Sequence, residues 1–254
     1  MRPRHASILA MGLLLLAVAA CYKAPHRRST GPRQQSPRPD KPPQLDPAAA
    51  LRPAYQVGSQ PAVAAGTAFV IADASGRKFA LTAAHVMEPA EWRQLKATTL
   101  ETMAGRVVDK LAGKAVWVGT AFDQLPLLPS GMSNTRQDLV LLRLPKGSTA
   151  APLKLASADP RPGDWVWVVG REANQEAGGQ KTYLCLVGSV ADGAYQLDMK
   201  DRFDLTGFSG GPVVNQQGEV VGNVLGGEKR QGIVIGTVVE AIRARLKDRS
   251  ITPP

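Results

Sequence analysis

The chain has 254 residues, of which 44% are apolar, so it is long enough to fold around one large or two small hydrophobic cores. Its formal charge is +10, a value that could indicate binding to nucleic acid or to an anionic surface. The first 60 residues carry +7 of this charge, which leaves only +3 for the remainder. The body of the chain is therefore nearly balanced, and its composition argues against specific binding of nucleic acid.

Residues 1–21 have the features of an export signal. Arg2 and Arg4 form a basic start, and an apolar run of 13 residues follows. That run is too short to cross a bilayer, which takes about 20 residues, but it suits the hydrophobic region of a signal peptide.

The apolar run ends in Val-Ala-Ala before Cys21, a pattern that resembles the lipobox of bacterial lipoproteins. The resemblance implies that lipid is attached to Cys21 and that cleavage makes this residue the new N-terminus. Because Tyr22 rather than aspartate follows, it further implies export to the cell envelope, with the protein on the outer membrane or facing the periplasm. The alternative is an ordinary signal peptide, in which Cys21 has no role.

Residues 22–60 predict a disordered tether. They contain eight prolines and few large apolar residues, so they cannot bury enough surface to offset their ordering entropy. At about 3.1 Å per residue, a polyproline-like segment of this length reaches on the order of 120 Å. The globular domain is therefore predicted to occupy residues 61–254.

From residue 61 onward, short apolar runs alternate with turns. The runs are rich in Val, Ile and Trp and are bounded by Gly, Pro, Asp and Asn, which is typical of an all-β domain. They occupy residues 65–72, 78–86, 114–122, 138–144, 164–170, 182–190, 194–200, 211–215, 219–227 and 232–239.

Two segments, residues 89–103 and 237–249, predict helices instead. In the second, Thr237 and Glu240 have the spacing of a capping box. The apolar residues spaced for one face of this helix are Val238, Ile242 and Leu246.

The sequence contains two cysteines. If Cys21 carries lipid, Cys185 has no disulfide partner. Cys185 alternates with apolar residues in TYLCLVGSV, which predicts a small buried residue rather than a reactive thiol. Since the body lacks any Cys/His cluster, we expect no metal and no organic cofactor.

Three polar residues stand at positions that suit catalysis. His85 follows the run LTAA and is the natural neutral base of the body, while Asp138 opens DLVLLRL and Ser209 lies in GFSGGP. Taken singly, each has a structural explanation: a histidine at a strand end, a turn carboxylate and a glycine-rich turn.

Taken together, these residues meet the needs of nucleophilic catalysis. A serine hydroxyl needs an adjacent base, and an imidazole needs an acceptor that fixes its tautomer. The anionic intermediate needs backbone donors, and glycines beside the serine allow the N–H groups of Gly207 and Ser209 to converge.

TAAH, DLVLLRL and GFSGGP, in this order, resemble the trypsin-like (chymotrypsin-fold) serine peptidases. The resemblance covers residues 61–248, and the chain is most similar to the bacterial Deg/HtrA-like branch without a PDZ domain. It implies two packed six-stranded Greek-key β-barrels with a short C-terminal helix and a site in the cleft between the barrels. It assigns His85 as general base, Asp138 as the acid that orients it, and Ser209 as nucleophile, with Gly207 and Ser209 forming the oxyanion hole.

The same resemblance implies where a substrate binds. Leu225, Gly226 and Gly227 would pair with the substrate backbone, and Phe203, six residues before the serine, would lie in the specificity pocket. Phe208 departs from the pattern, because the digestive enzymes have an aspartate there that binds a newly formed N-terminus.

These features favour a serine endopeptidase that hydrolyses peptide bonds through an acyl-enzyme and is anchored in a bacterial envelope. Its expected partners are protein or peptide substrates and, through Cys21, a membrane. One alternative is a catalytically silent module that binds peptides or a partner protein by strand addition at residues 225–227. Another is an envelope anchor whose basic tail binds polyanions. The sequence does not determine the oligomeric state.

Overall fold

The computed structural model describes residues 36–86, 95–101, 107–112, 115–117, 138–173 and 179–252. The strands within these ranges are β1 Arg52–Val57, β2 Val63–Ala64, β3 Phe69–Ala72, β4 Lys78–Thr82, β5 Leu95–Glu101, β6 Val107–Ala112, β7 Ala115–Trp117, β8 Val140–Arg143, β9 Trp165–Gly170, β10 Lys181–Ala191, β11 Ala194–Met199, β12 Pro212–Val214, β13 Val220–Glu228 and β14 Ile233–Val238. A 3₁₀ turn spans Ala84–Val86, and helix α1 spans Val239–Asp248. No helix in the described ranges is both long and apolar enough to cross a bilayer.

The predicted all-β architecture with a short C-terminal helix is confirmed. The C-terminal half is a closed six-stranded barrel in the order β10-β11-β14-β13-β12-β9. In the N-terminal half, the described strands form two four-stranded sheets, β2-β1-β5-β6 and β3-β4-β8-β7, rather than one ring of six. Among the described residues, one bridge joins these two sheets, in which Leu51 and Ala68 exchange backbone hydrogen bonds.

Alternate residues of β4 pack into two different hydrophobic clusters. On β4, Phe79 and Leu81 pack in a cluster that also contains Trp167 of the C-terminal barrel and Ile242 of α1. Ala80 between them belongs to a separate cluster within the N-terminal half. Because side chains alternate across a strand, one apolar run packs both its own half and the junction between halves.

The helix predicted over residues 89–103 is wrong where the structure describes it, because residues 95–101 form strand β5. Thr98 and Leu100 are buried, and the strand is paired on both edges, with β1 and with β6. Pairing with a strand on each side overrides the local helical preference of LKATTLE.

Helix α1 forms nearly where it was predicted, but it begins differently. Val238, Ile242 and Leu246 are each 1% exposed, which confirms the predicted apolar face. The predicted capping box would begin at Thr237, whereas α1 begins one residue later, after Val238, which makes no side-chain cap. Instead, the Asp159 carboxylate accepts the Glu240 N–H, with 2.8 Å between oxygen and nitrogen.

The predicted tether does not extend to residue 60. Residues 36–50 lie along the C-terminal barrel, where the Trp165 indole donates to the carbonyl of Ser36 at 2.9 Å and Gln216 donates to the carbonyl of Lys41 at 3.0 Å. Ala49 and Ala50 are buried, and β1 follows directly. A proline-rich segment has little conformational entropy to lose, and its solvated carbonyls accept side-chain donors, so it can dock without strand pairing. Residues 22–35 lie outside the described residues.

Cys185 lies in β10 and is fully buried, as predicted. Burial raises the pKa of its thiol, and the charge of Asp198 raises it further. A thiol that remains protonated is a poor nucleophile, so Cys185 acts as an apolar core residue.

Candidate active site

His85 and Asp138 are brought together by the pairing of β4 with β8. Thr82 lies opposite Val140 in this antiparallel pair. The chain leaving β4 reaches His85 three residues later, and Asp138 stands two residues before Val140 on the neighbouring strand. Both side chains therefore emerge at the same end of the sheet, where β4 gives way to the 3₁₀ turn.

The Asp138 carboxylate binds His85 through both of its oxygens. One oxygen accepts the backbone N–H of His85 at 2.8 Å, and the other lies 2.6 Å from Nδ1 of the ring. The side chains of His85 and Asp138 are 26% and 12% exposed, so the pair is shielded but reachable. Burial lowers the pKa of His85, but the charge and hydrogen bond of Asp138 raise it more, so the pKa lies above its ordinary value of 6.5. The bond at Nδ1 sets the tautomer and presents Nε2 on the opposite side of the ring.

Ser209 lies in a turn formed by residues 206–210 just before β12, called the serine turn below. Hydrogen bonds to the carbonyl groups of this turn hold its peptide groups in place. The carbonyl of Thr206 accepts the N–H of Ala173 at 2.9 Å, and the carbonyl of Phe208 accepts the N–H of Gly211 at 2.8 Å. In a trans peptide the C=O and N–H point in opposite directions. The N–H groups of Gly207 and Ser209 are thus turned away from these anchors, and within the described residues neither donates to a protein acceptor. Two such donors are what an oxyanion hole requires.

Thr67 fixes the same turn from the N-terminal half. Its N–H donates to the carbonyl of Ser209 at 2.8 Å, and its hydroxyl donates to the carbonyl of Gly207 at 2.6 Å. Its own carbonyl accepts the hydroxyl of Thr82, which is buried. Thr67 therefore connects the serine turn with the end of β4, three residues before His85.

The fit around Gly210 places the serine turn directly against the histidine segment. Gly210 has φ +84°, and a Cβ there would lie 2.5 Å from the nitrogen of Ala83 and still closer to the hydroxyl of Thr82. A Cβ on Gly66 would lie 2.7 Å from the carbonyl oxygen of Ser209 and 2.8 Å from a methyl group of Val86. The residues just before His85, the residue just after it and the serine turn are therefore packed so closely that no added carbon atom fits between them.

The hydroxyl of Ser209 donates to the carbonyl of Leu225, with 3.2 Å between the oxygens. Leu225 lies in β13 at a bulge where the pairing with β14 shifts by one residue. Residues 226–227 pair with β14 on one edge, but β12 pairs only as far as Asn223, so no described strand covers the other edge. The predicted substrate strand at Leu225, Gly226 and Gly227 therefore lies beside Ser209 with an open edge.

Phe203 and Phe208 lie in an aromatic cluster behind the turn. Phe203 stacks on Tyr183 with 3.9 Å between ring centroids, and Phe208 packs against both rings at a tilt. Phe208 is fully buried, and a Cβ on Gly170 would clash with its ring. Packing thus holds the turn at the position where the digestive enzymes have an aspartate.

The position of Phe203 bears on its predicted role in substrate binding. Phe203 is only 4% exposed, and the apolar side chain that reaches Gly227 belongs to Leu205. The assignment of Phe203 to the specificity pocket stays a prediction, and Leu205 is a further candidate for a residue that lines this pocket.

Residues that the sequence analysis did not assign support the site. Thr67 and Ala173 anchor carbonyls of the serine turn, and Arg52 donates to the carbonyls of Gly66 and Arg171. Backbone anchoring leaves little mark on residue type, and Arg52 falls in the segment predicted to be disordered.

Comparison with known proteins identifies the family and the fold of this chain. The sequence profile described as Trypsin-like peptidase domain matches residues 66–222. The fold resembles that of the serine endoprotease from Yersinia pestis, with 18% identity, a TM-score of 0.55 and coverage of 80% of this chain and 62% of that chain. It also resembles the active form of the Rv3671c protease from M. tuberculosis, with 18% identity, a TM-score of 0.54 and coverage of 82% of this chain and 84% of that chain.

At these identities the solved structures show the fold alone, and this chain spans 62% of the length of the Yersinia protein. The comparison with curated protein sequences gave no match. The family profile covers more than half of the chain, including His85, Asp138 and Ser209. The chain therefore belongs to the family of trypsin-like peptidase domains.

Proposed function

We propose that this protein is a serine endopeptidase in which Ser209 is the nucleophile, His85 the general base and Asp138 the residue that orients the base. One observation carries the proposal. The Asp138 carboxylate holds His85 through both of its oxygens, next to a serine turn whose Gly207 and Ser209 N–H groups bind no described protein acceptor.

The reaction begins when the hydroxyl of Ser209 rotates from the carbonyl of Leu225 toward His85. Its oxygen attacks the scissile carbonyl carbon while its proton passes to Nε2 of His85, and the carbonyl electron pair becomes an oxyanion. The N–H groups of Gly207 and Ser209 donate to this oxyanion, and removing one such donor typically lowers turnover by about 10²–10³. Asp138 stabilises the imidazolium that forms.

When the tetrahedral intermediate collapses, the bond from carbon to nitrogen breaks and the leaving amine takes the proton from His85. An ester between the substrate acyl group and Ser209 remains. Water then attacks this ester by the same route, with His85 again as base, and releases the acid product and free Ser209. The open edge at residues 225–227 gives the substrate backbone a strand to pair with during both steps.

The proposal is tested by measuring cleavage of protein and peptide substrates. Casein and a peptide library are incubated with the purified protein and with Ser209→Ala, and the products are identified by mass spectrometry. We expect new termini only with the wild type. The competing function, a silent peptide-binding module, predicts no cleavage by either protein and equal peptide affinity in both.

The pH profile of kcat/KM is expected to depend on Asp138. His85 must be neutral to act as base, so kcat/KM rises as pH rises through its pKa, which Asp138 raises above 6.5. In Asp138→Asn the effects that raise the pKa are lost while burial still lowers it, so the rising limb should move to lower pH. The maximal rate should also fall by about 10⁴ because the tautomer is no longer fixed. A limb that stays in place would show that His85 is not the titrating base.

The contribution of His85 to the stability of the fold should decrease as pH rises. Because the folded pKa of His85 is raised, the protonated His85–Asp138 pair stabilises the fold below pH 6.5, and this stabilisation is lost as pH rises through the folded pKa.

We further propose that lipid on Cys21 tethers the enzyme in a bacterial envelope. If Ser36 is docked on the barrel, only residues 22–35 separate Cys21 from the folded domain. At about 3.1 Å per residue, this segment reaches at most about 45 Å, so the site would work close to the membrane surface.

Cys21→Ser is expected to move the protein from the membrane fraction to the soluble fraction and to remove the acyl mass from its N-terminal peptide. Two acyl chains hold a protein stably, whereas one is marginal. Cys185→Ser serves as the matched control and should leave the membrane fraction unchanged. Equal membrane association of Cys21→Ser and the wild type would contradict the anchor.

A further inference from the structure

Arg52 lies at the start of β1, with its guanidinium group buried where the two halves meet. The residue is 8% exposed. Its Nη1 donates to the carbonyl of Gly66 at 3.1 Å, and its Nη2 donates to the carbonyls of Arg171 and Glu172 at 3.2 Å each. None of the ion pairs among the described residues includes Arg52.

A buried cation without a counter-ion is expensive unless hydrogen bonds compensate it. Burial lowers the pKa of Arg52, and the charge of Arg171 lowers it further. The compensation here comes from three backbone carbonyls on two separate segments. A planar guanidinium can bridge such carbonyls, whereas an apolar side chain would only fill the space.

The first segment that Arg52 holds leads directly to the serine turn. Gly66 precedes Thr67, whose N–H and hydroxyl bind the carbonyls of Ser209 and Gly207. Gly66 itself packs against the Ser209 carbonyl so closely that a Cβ would lie 2.7 Å from that oxygen. A shift of Gly66 would therefore move the Gly207–Phe208 and Ser209–Gly210 peptide groups, which lie on either side of the peptide that carries the Ser209 N–H.

The second segment leads to the other oxyanion donor. Ala173 follows Glu172, and its N–H holds the carbonyl of Thr206 at 2.9 Å. This bond orients the Thr206–Gly207 peptide and hence the N–H of Gly207. A Cβ on Gly207 would lie 2.6 Å from the carbonyl oxygen of Arg171, so this loop and the turn are in direct contact.

We propose that Arg52 is a positioning residue that clamps residues 66–67 and 171–173 together and thereby aims the N–H groups of Gly207 and Ser209 at the developing oxyanion. The inference rests on the proposed function for its catalytic consequence, but the clamp itself can be measured without turnover.

The effect of Arg52 on catalysis is tested by measuring kcat and KM for the wild type, Arg52→Met and Arg52→Lys. Arg143→Met is the control. Arg143 is an exposed arginine on β8, so its replacement removes the same charge without touching the clamp. Arg52→Met should lower kcat on a peptide substrate by about 10², as for loss of one oxyanion donor, and leave KM within about threefold. Arg52→Lys keeps the charge but lacks the planar fork, and should lose about tenfold in kcat. Arg143→Met should match the wild type.

Amide hydrogen exchange at Thr67 and Ala173 tests the clamp directly. Both N–H groups donate to carbonyls of the serine turn. Their exchange should be at least tenfold faster in Arg52→Met than in the wild type or Arg143→Met. If Arg52→Met does not fold, Arg52→Lys is judged by the same two measurements.

The results separate the two hypotheses. Unchanged exchange at both amides would overturn the clamp, whether or not the protein is a peptidase. Faster exchange with unchanged kcat in an active enzyme would overturn the positioning role. No cleavage by the wild type, together with faster exchange in Arg52→Met, would refute the proposed function while supporting the clamp.

Discussion

Ser209→Ala and His85→Ala are each expected to lower kcat by about 10⁶, and the double variant should be no worse than either single one. The losses do not add because the hydroxyl and the imidazole act as a unit: without the base the hydroxyl is not activated, and without the hydroxyl the base has no proton to remove. Steady-state hydrolysis of a chromogenic peptide, combined with active-site titration of the wild type, provides the measurement.

Ser189→Ala is the matched control, since Ser189 lies in β10 and pairs with Gln196 on the neighbouring strand of the barrel. It should retain full activity, and all four variants should unfold near the temperature of the wild type. If a folded Ser209→Ala or His85→Ala variant keeps more than about 1% of the activity, which is far above what a broken triad allows, the two residues do not act as nucleophile and base.

Gly210→Ala is expected to have the second-largest effect. The added Cβ would lie 2.5 Å from the nitrogen of Ala83 and closer still to the Thr82 hydroxyl and the Thr67 carbonyl, so the serine turn must move away from β4. A displacement of about 1 Å can lower the rate about 10²-fold, and overpacking a closed site costs about 1–3 kcal/mol. The left-handed backbone of an L-residue adds about 1–2 kcal/mol.

Gly76→Ala isolates the backbone contribution. Gly76 has φ +78°, close to that of Gly210, but a Cβ there would meet no atom within 4 Å. It should destabilise the fold by about 1–2 kcal/mol and leave kcat/KM unchanged. Equal losses of stability and activity in Gly76→Ala and Gly210→Ala, by thermal unfolding and peptide hydrolysis, would show that contact with β4 does not matter.

The residues proposed to perform the chemistry could be found in the sequence because the proposed reaction restricts their types. His85 was the single histidine of the body, and the glycines around Ser209 are needed to turn the backbone. The relative position of His85 and Ser209 depends on the register between β4 and β8 and on the contact at Gly210. Neither can be calculated from the periodicity of the sequence.

The supporting structure was harder to predict because backbone hydrogen bonds leave almost no sequence pattern. Arg52 was counted only as one charge in a proline-rich tail, yet it binds three buried carbonyls. The run containing Thr98 and Leu100 has helical spacing, but two neighbouring strands recruit it into a sheet. Asp159, which caps α1, is 81 residues from the N–H that it accepts, so local capping rules could not identify it.

Activation of Ser209 by His85 in the folded protein can be measured by covalent labelling of the serine. The purified protein is treated with a fluorophosphonate, digested, and searched by mass spectrometry for the modified peptide. We expect one adduct, on the oxygen of Ser209, which is absent in Ser209→Ala and forms far more slowly in His85→Ala. Folded wild-type protein that remains unmodified at Ser209, or that is labelled as fast without His85, would contradict activation of Ser209 by His85.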